Sequence, residues 1–344
     1  MAAMNYINAL RQGGYSVEVD PYEFQFQKHK AVLGCHTATC DSSLCDIHIQ
    51  HCVPDFLRRG KNRFTSRFNL AFATFETLEP PKRWQELLER YSAVLTPSMF
   101  NYNIFKELCP NTKVYYVPHC LDFQIYNFGE QSSSPPGYQG ALVSGKFLFL
   151  WIGKWKRRKG YIELIEAFRQ EFKDDEKASL VLKTHDKIQA ETYLKSLGNP
   201  QRISVDSSFT EEVNMAGFLR ATNCVVMPSY GEGFGLAGLQ AMACGVPLIV
   251  TDYSGIQDYA TSRTANLLAP DGLERIEFLD GIAQFKNRPW AKISVNRLRA
   301  LMREVYENQE AARLKAAAAG TFVRERFSYE ACIAKFQQIF ADLG

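Results

Sequence analysis

A single acid, Glu232, stands inside the glycine loop "PSYGEGFGLAGLQAMACG" at 228–245, between the apolar runs "CVVM" and "VPLIV". Gly233 and Gly235 remove side chains that would hold a ligand off the backbone. Exposed N–H groups and the positive end of the following helix can then meet a phosphate. Beside an anion, Glu232 is useful only if it accepts hydrogen bonds from hydroxyls. A sugar joined to a diphosphate supplies both partners. Gln240 follows eight positions later, about two turns at the 3.6-residue period, so the spacing predicts it on roughly the same face. Its amide is able to hydrogen-bond a ribose diol.

A second constellation, "GKWKRRKGYIELIEAF" from Gly153, puts basic residues between a strand end and a helix. Lys156, Arg157 and Arg158 read equally well as a solvated basic loop or as ligand contacts. Lys154, after a strand-end glycine, and Lys159, before Gly160, are better placed to neutralise a diphosphate leaving group as a glycosyl bond breaks.

Alternating strands and helices must position these groups. A helix is expected over 4–12, stopped by Gly13-Gly14, then a strand at "YSVEV". "CDIHIQH", "FNLAFATFE", "SAVLTPS" and "KVYYVPH" read as strands, with helices at "PKRWQELLERY" and "MFNYNIFKELC". The pattern breaks at "FGEQSSSPPGYQGALVSGK", a linker by composition. A second series follows: strand "FLFLWIG", helix "YIELIEAFRQEF", strands "SLVLKTH", "RISVDSS" and "CVVMPS", a helix over 235–244, and strand "PLIVTD". Residues 289–344 read as helical throughout. The expected domains are 1–130, a linker 131–145, a nucleotide-sugar-binding domain 146–325 and a terminal helix 326–344. The pattern argues for two doubly wound α/β domains whose parallel sheets face a cleft at the carboxyl ends of their strands. The apolar stripe Ala331, Ile333, Phe336, Ile339 and Phe340 predicts burial of the last helix.

Composition narrows the partners. The 344 residues allow two domains, and 46% hydrophobic with 22% charged residues is globular. A net charge of +3 gives no argument for nucleic acid. The sequence carries no apolar run of membrane-spanning length, which leaves peripheral membrane contact open. Its start lacks a secretory signal, so a cytoplasmic setting with reduced thiols is expected. Cys35, Cys40, Cys45 and Cys52 cluster with His36, His48 and His51, but without the close ligand pairs of zinc sites, and no metal is expected there.

These motifs are similar to those of retaining glycosyltransferases of family 4, with the GT-B fold. The resemblance rests on "GKWKRRKG" and on "PSYGEGFGLAGLQAMACGVP", about twenty contiguous positions. It extends to "ATFETLEPPKRWQELLERYSAVLTPSMF" and "VYYVPHCLD", and so to nearly the whole chain. It implies that Lys154 and Lys159 hold the donor diphosphate, with Lys154 where many relatives carry arginine. Glu232 contacts donor-sugar hydroxyls, and the amides of Gly233, Phe234, Gly235 and Leu236 contact sugar and phosphate. Gln240 stands where the family usually has a ribose-binding glutamate, and Glu76 where many relatives have a histidine near the reacting sugar. His119 is open to a catalytic role or to that of a strand-end hydrogen bonder. The terminal helix is expected to cross back onto the first domain.

The resemblance further implies transfer, with retention, from a nucleotide-diphosphate sugar to a glycan or other hydroxyl acceptor, with no cofactor and no metal. The chain contains no Asp-x-Asp pair. It departs from the family in opening with a helix where a strand and glycine loop are usual, and in Gln240. Both departures favour the alternative of a non-catalytic GT-B shell that binds a nucleotide sugar or a partner protein.

Overall fold

The computed structural model describes residues 2–19, 45–57, 66–129, 147–172, 177–208, 211–277 and 279–344. Cys35, His36, Cys40 and the expected linker lie outside them. The first domain opens with helix α1 (Ala2–Gln12). A four-stranded sheet follows, β1 (Ile47–His51), β2 (Phe68–Phe72), β3 (Ala93–Thr96) and β4 (Lys113–Tyr116), with α2 (Arg83–Leu88) and α3 (Met99–Leu108) between strands. All three pairings are parallel, in the order β1-β2-β3-β4. Ser98 caps α3 by accepting the Asn101 amide at 3.1 Å.

"YSVEV" is not a strand. Tyr15 turns back to donate its amide to the Leu10 carbonyl, and its ring meets Phe340 edge-on at 5.4 Å. Packing against helices has overridden β propensity there.

The second domain carries β5 (Phe147–Ile152), α4 (Tyr161–Glu171), β6 (Ala178–Lys183), α5 (Lys187–Ser196) and β7 (Ile203–Asp206). It continues with α6 (Glu212–Arg220), β8 (Cys224–Met227), α7 (Leu236–Ala243), β9 (Leu248–Thr251) and β10 (Asn266–Leu268). Its sheet is parallel in the order β10-β9-β8-β5-β6-β7. β5, "FLFLWI", is buried along almost its whole length, as a strand covered on both faces must be.

The helical expectation for 289–344 fails at its start. β11 (Leu273–Ile276) and β12 (Arg288–Ala291) form an antiparallel hairpin before α8 (Val295–Glu307), α9 (Gln309–Phe327) and α10 (Tyr329–Leu343). Two apolar clusters run across the domains. In one, Phe285 and Trp290 of the hairpin region pack with Phe75, Trp84 and Phe105. In the other, Tyr329, Cys332, Phe336 and Ile339 of α10 pack with Tyr6, Leu10, Phe72 and Leu95. The helices α1 and α10 come so close that a Cβ on Gly13 would lie 3.0 Å from Ile333 Cγ2. Polar contacts add Lys113 Nζ to Asp342 at 2.9 Å and the Tyr329 hydroxyl to Asn5 at 3.4 Å.

Candidate active site

The turn Arg157–Lys159 follows β5 and places two neighbouring cations against the glycine loop. Gly160 closes the turn at φ 69°, and a Cβ there would lie 1.9 Å from the Pro228 carbonyl oxygen. Only glycine tolerates both conditions. The Tyr230 amide donates to the Arg158 carbonyl at 2.8 Å, and Trp151 Nε1 to the Lys159 carbonyl at 3.0 Å. Turn and loop are therefore held in register.

Lys159 Nζ lies 2.5 Å from Glu232 Oε1, which also accepts the Ser229 hydroxyl at 2.8 Å. The Glu232 amide donates to Ser254 Oγ at 2.9 Å. Arg158 reaches Glu232 Oε2 through Nη1 at 3.2 Å and Glu76 Oε1 through Nη2 at 3.1 Å. Burial alone would raise the Glu232 carboxyl. Lys159 and Arg158 outweigh it, bringing the group down from 4.5 to about 2. Burial, assisted by the nearby Arg158 charge, pulls the Lys159 ammonium below its ordinary value against the opposing pull of Glu232.

Of the residues singled out in the sequence, Glu76, Lys159 and Glu232 meet in one cluster. Lys154 is exposed, and its ammonium makes no hydrogen bond or ion pair among the described residues. Gly233 faces the first domain, where a Cβ would lie 2.0 Å from Thr74 Oγ1. Phe234 is buried against His119, with ring centroids 4.9 Å apart, and against Phe327 at 5.8 Å. Gly235, at φ 84°, caps α7 and accepts the Tyr259 hydroxyl at 2.6 Å. Leu236 begins the helix, and in its first turn the Gly238 amide donates to the Gly235 carbonyl at 3.0 Å, while helix geometry gives the Leu236 and Ala237 amides no acceptor in the helix.

The same-face spacing expected for Gln240 does not apply in this fold. Glu232 precedes α7, so a helical period cannot be counted from it. The Gln240 side chain is buried, and its Nε2 donates to the Tyr126 hydroxyl at 2.8 Å. His119 Nδ1 lies 2.7 Å from the Tyr6 hydroxyl, and its ring stacks on Phe72. Burial, with His51 nearby, lowers its pKa to about 3, so the imidazole is neutral at ordinary pH. In sequence, Arg158 reads equally as a solvated loop residue or as a ligand contact. Its position between two carboxylates could not be read locally, because Glu76 is 82 positions away.

Residues 139–305 match the family model described as glycosyl transferases group 1. Anabaena Alr3699/HepE in complex with UDP-glucose superposes with TM-score 0.68 at 17% identity, over 86% of this chain and 79% of that one. The fold is GT-B. Sucrose-phosphate synthase from Thermosynechococcus elongatus shares the GT-B architecture at TM-score 0.65 and 16% identity, over 87% of this chain and 73% of that one. In sequence, the D-inositol 3-phosphate glycosyltransferase of Arthrobacter sp. (strain FB24) is 30% identical over 169 residues, 47% of this chain and 40% of that relative. The lipopolysaccharide core biosynthesis mannosyltransferase LpsB of Rhizobium meliloti is 34% identical over 111 residues, 31% of each chain. The GT-B chain spans less than half the length of these curated relatives. No helix among its described residues is long and apolar enough to cross a membrane.

Proposed function

We propose that the protein is a retaining glycosyltransferase that moves a sugar from a nucleotide-diphosphate donor to an acceptor hydroxyl. The observation that carries this reading is the buried Lys159–Glu232 pair at the mouth of α7, with Arg158 on the same carboxylate. Lys159 and the first-turn amides of α7 take the diphosphate, and Glu232 accepts donor-sugar hydroxyls. As the glycosyl bond breaks, negative charge grows on the leaving phosphate, and a preorganised ammonium stabilises that charge more than the ground state. The acceptor attacks from the leaving group's own face, and the departing phosphate accepts its proton. Lysine and the helix end meet this charge without a metal.

The decisive experiment incubates the protein with UDP-, GDP- and ADP-sugars and follows nucleoside diphosphate release, with the product's anomeric configuration read by NMR. UDP-sugars come first, because the neighbour HepE was solved with UDP-glucose. An inverted product would overturn retention, and absence of release with any donor would overturn the enzyme. The second reading, a non-catalytic shell, is favoured by the tight meeting of the domains at the loop, where a Cβ on Gly231 would lie 2.2 Å from the Glu76 carbonyl oxygen. Donor binding without release distinguishes the shell.

A further inference from the structure

We infer that Arg158 is a second diphosphate-binding cation and that Glu76 competes with the donor for it, so that donor loading severs an ionic link between the domains; this rests on the donor reading above. The Arg158 guanidinium is a planar fork suited to two oxygens of one phosphate. That fork is divided between the two domains. Nη2 serves Glu76 of the first domain at 3.1 Å, and Nη1 serves Glu232 of the second at 3.2 Å, together with the Gly231 carbonyl at 3.2 Å. Arg158 and Lys159 are sequence neighbours on one turn, so a phosphate at Lys159 lies within reach of both. The turn is fixed by the Asp280 carboxylate, which accepts the Arg157 and Arg158 amides.

Charge balance makes the two occupancies exclusive. Arg158 and Lys159 are cancelled by Glu76 and Glu232. A diphosphate adds at least two negative charges and cannot settle beside two carboxylates that still hold the cations. One of them must give way. Glu232 is fixed by Ser229 as well as by Lys159, and its side chain is only 6% exposed. Glu76 is 24% exposed and, among the described residues, its one ion pair is with Arg158, so it is the group that water can reclaim. The exchange leaves Glu232 beside the sugar and trades Glu76–Arg158 for phosphate–Arg158. Lys154, also a diphosphate candidate by its place in the sequence, is exposed and outside this cluster.

Calorimetric titration with UDP, GDP and ADP tests this, comparing the parent with Glu76→Gln, Arg158→Gln, Arg158→Lys and the exposed-lysine control Lys156→Gln. With the nucleotide that the parent binds best, Arg158→Gln should weaken affinity at least about tenfold, the scale of losing one charge-assisted hydrogen bond. Arg158→Lys should fall between, and Lys156→Gln should match the parent. Glu76→Gln should tighten binding severalfold, because it removes the competitor. That arm also carries the test if Arg158→Gln misfolds, since it leaves no bare buried anion. Unchanged or weaker binding in Glu76→Gln overturns the competition while leaving the donor reading intact. A parent that binds none of the three nucleotides overturns the donor reading and this inference with it.

Discussion

Gly233 and Thr74 meet across the domain boundary. A Cβ on the glycine would lie 2.0 Å from the threonine Oγ1, which is itself held by Asn101 Oδ1 at 2.9 Å. The glycine loop therefore sits directly against the segment after β2 that carries Glu76. Both carry the groups that a donor would meet, so the spacing of the domains is set by contacts that also shape the site.

Gly233→Ala should cost about 1–3 kcal/mol, the range for overpacking a closed contact. Thr74→Ala in the same chain should recover part of that loss. Denaturant unfolding of the two single variants and the double variant measures the coupling. Strictly additive effects would mean that the two residues do not touch.

Phe336 binds the terminal helix to the first domain. Its ring is buried and meets Tyr6 edge-on at 5.9 Å. Phe336→Ala should lower stability by about 3–5 kcal/mol, as other large-to-small core changes do. Amide exchange should speed up in Ala2–Gln12 as well as in Tyr329–Leu343. Faster exchange confined to the terminal helix would show that the two helices do not share a cooperative unit.

Much of this architecture was legible in the sequence because it is periodic or needs glycine. The strands of the second sheet are continuous apolar runs, and the loop around Glu232 uses glycines where backbones approach. What escaped reading depends on distant partners. Arg158 looks like any basic loop residue until Glu76 and Glu232 are brought to it. β11, "LERI", is largely exposed, and β12, "RPWA", contains a proline, so neither shows a strand period. Tyr15–Val19 has β-prone residues, yet lies against helices. Gln240 meets Tyr126 across 114 positions, which no local spacing encodes.

That pairing changes what substitution at 240 should do. Gln240→Leu leaves the buried Tyr126 hydroxyl without this partner and should cost about 1–3 kcal/mol of stability. Gln240→Glu buries a charge and should also destabilise. Nucleotide affinity should change by less than about threefold in the folded Gln240→Leu protein, well under the factor of ten that 1.4 kcal/mol represents. Thermal melts with and without UDP separate the two effects. A variant with parental stability but much weaker UDP binding would return Gln240 to the ribose.

The charge cluster also predicts how stability responds to acid. Glu232 has its carboxyl lowered from 4.5 to about 2, so the folded state holds this group ionised where the unfolded chain protonates it. A depressed carboxylate contributes stability that is complete above the unfolded value and disappears as pH falls toward the folded one. The contribution, about 3 kcal/mol for a shift of this size, should therefore be lost mainly between about pH 5 and pH 2. Glu232→Gln should be less stable at neutral pH, because Lys159 loses its ion pair and Arg158 keeps only Glu76. It should also have a visibly flatter stability curve across the acid window. Urea unfolding at half-unit pH steps gives both curves. Parallel slopes for the two proteins between pH 5 and pH 2 would show that Glu232 is not held ionised by Lys159 and Arg158.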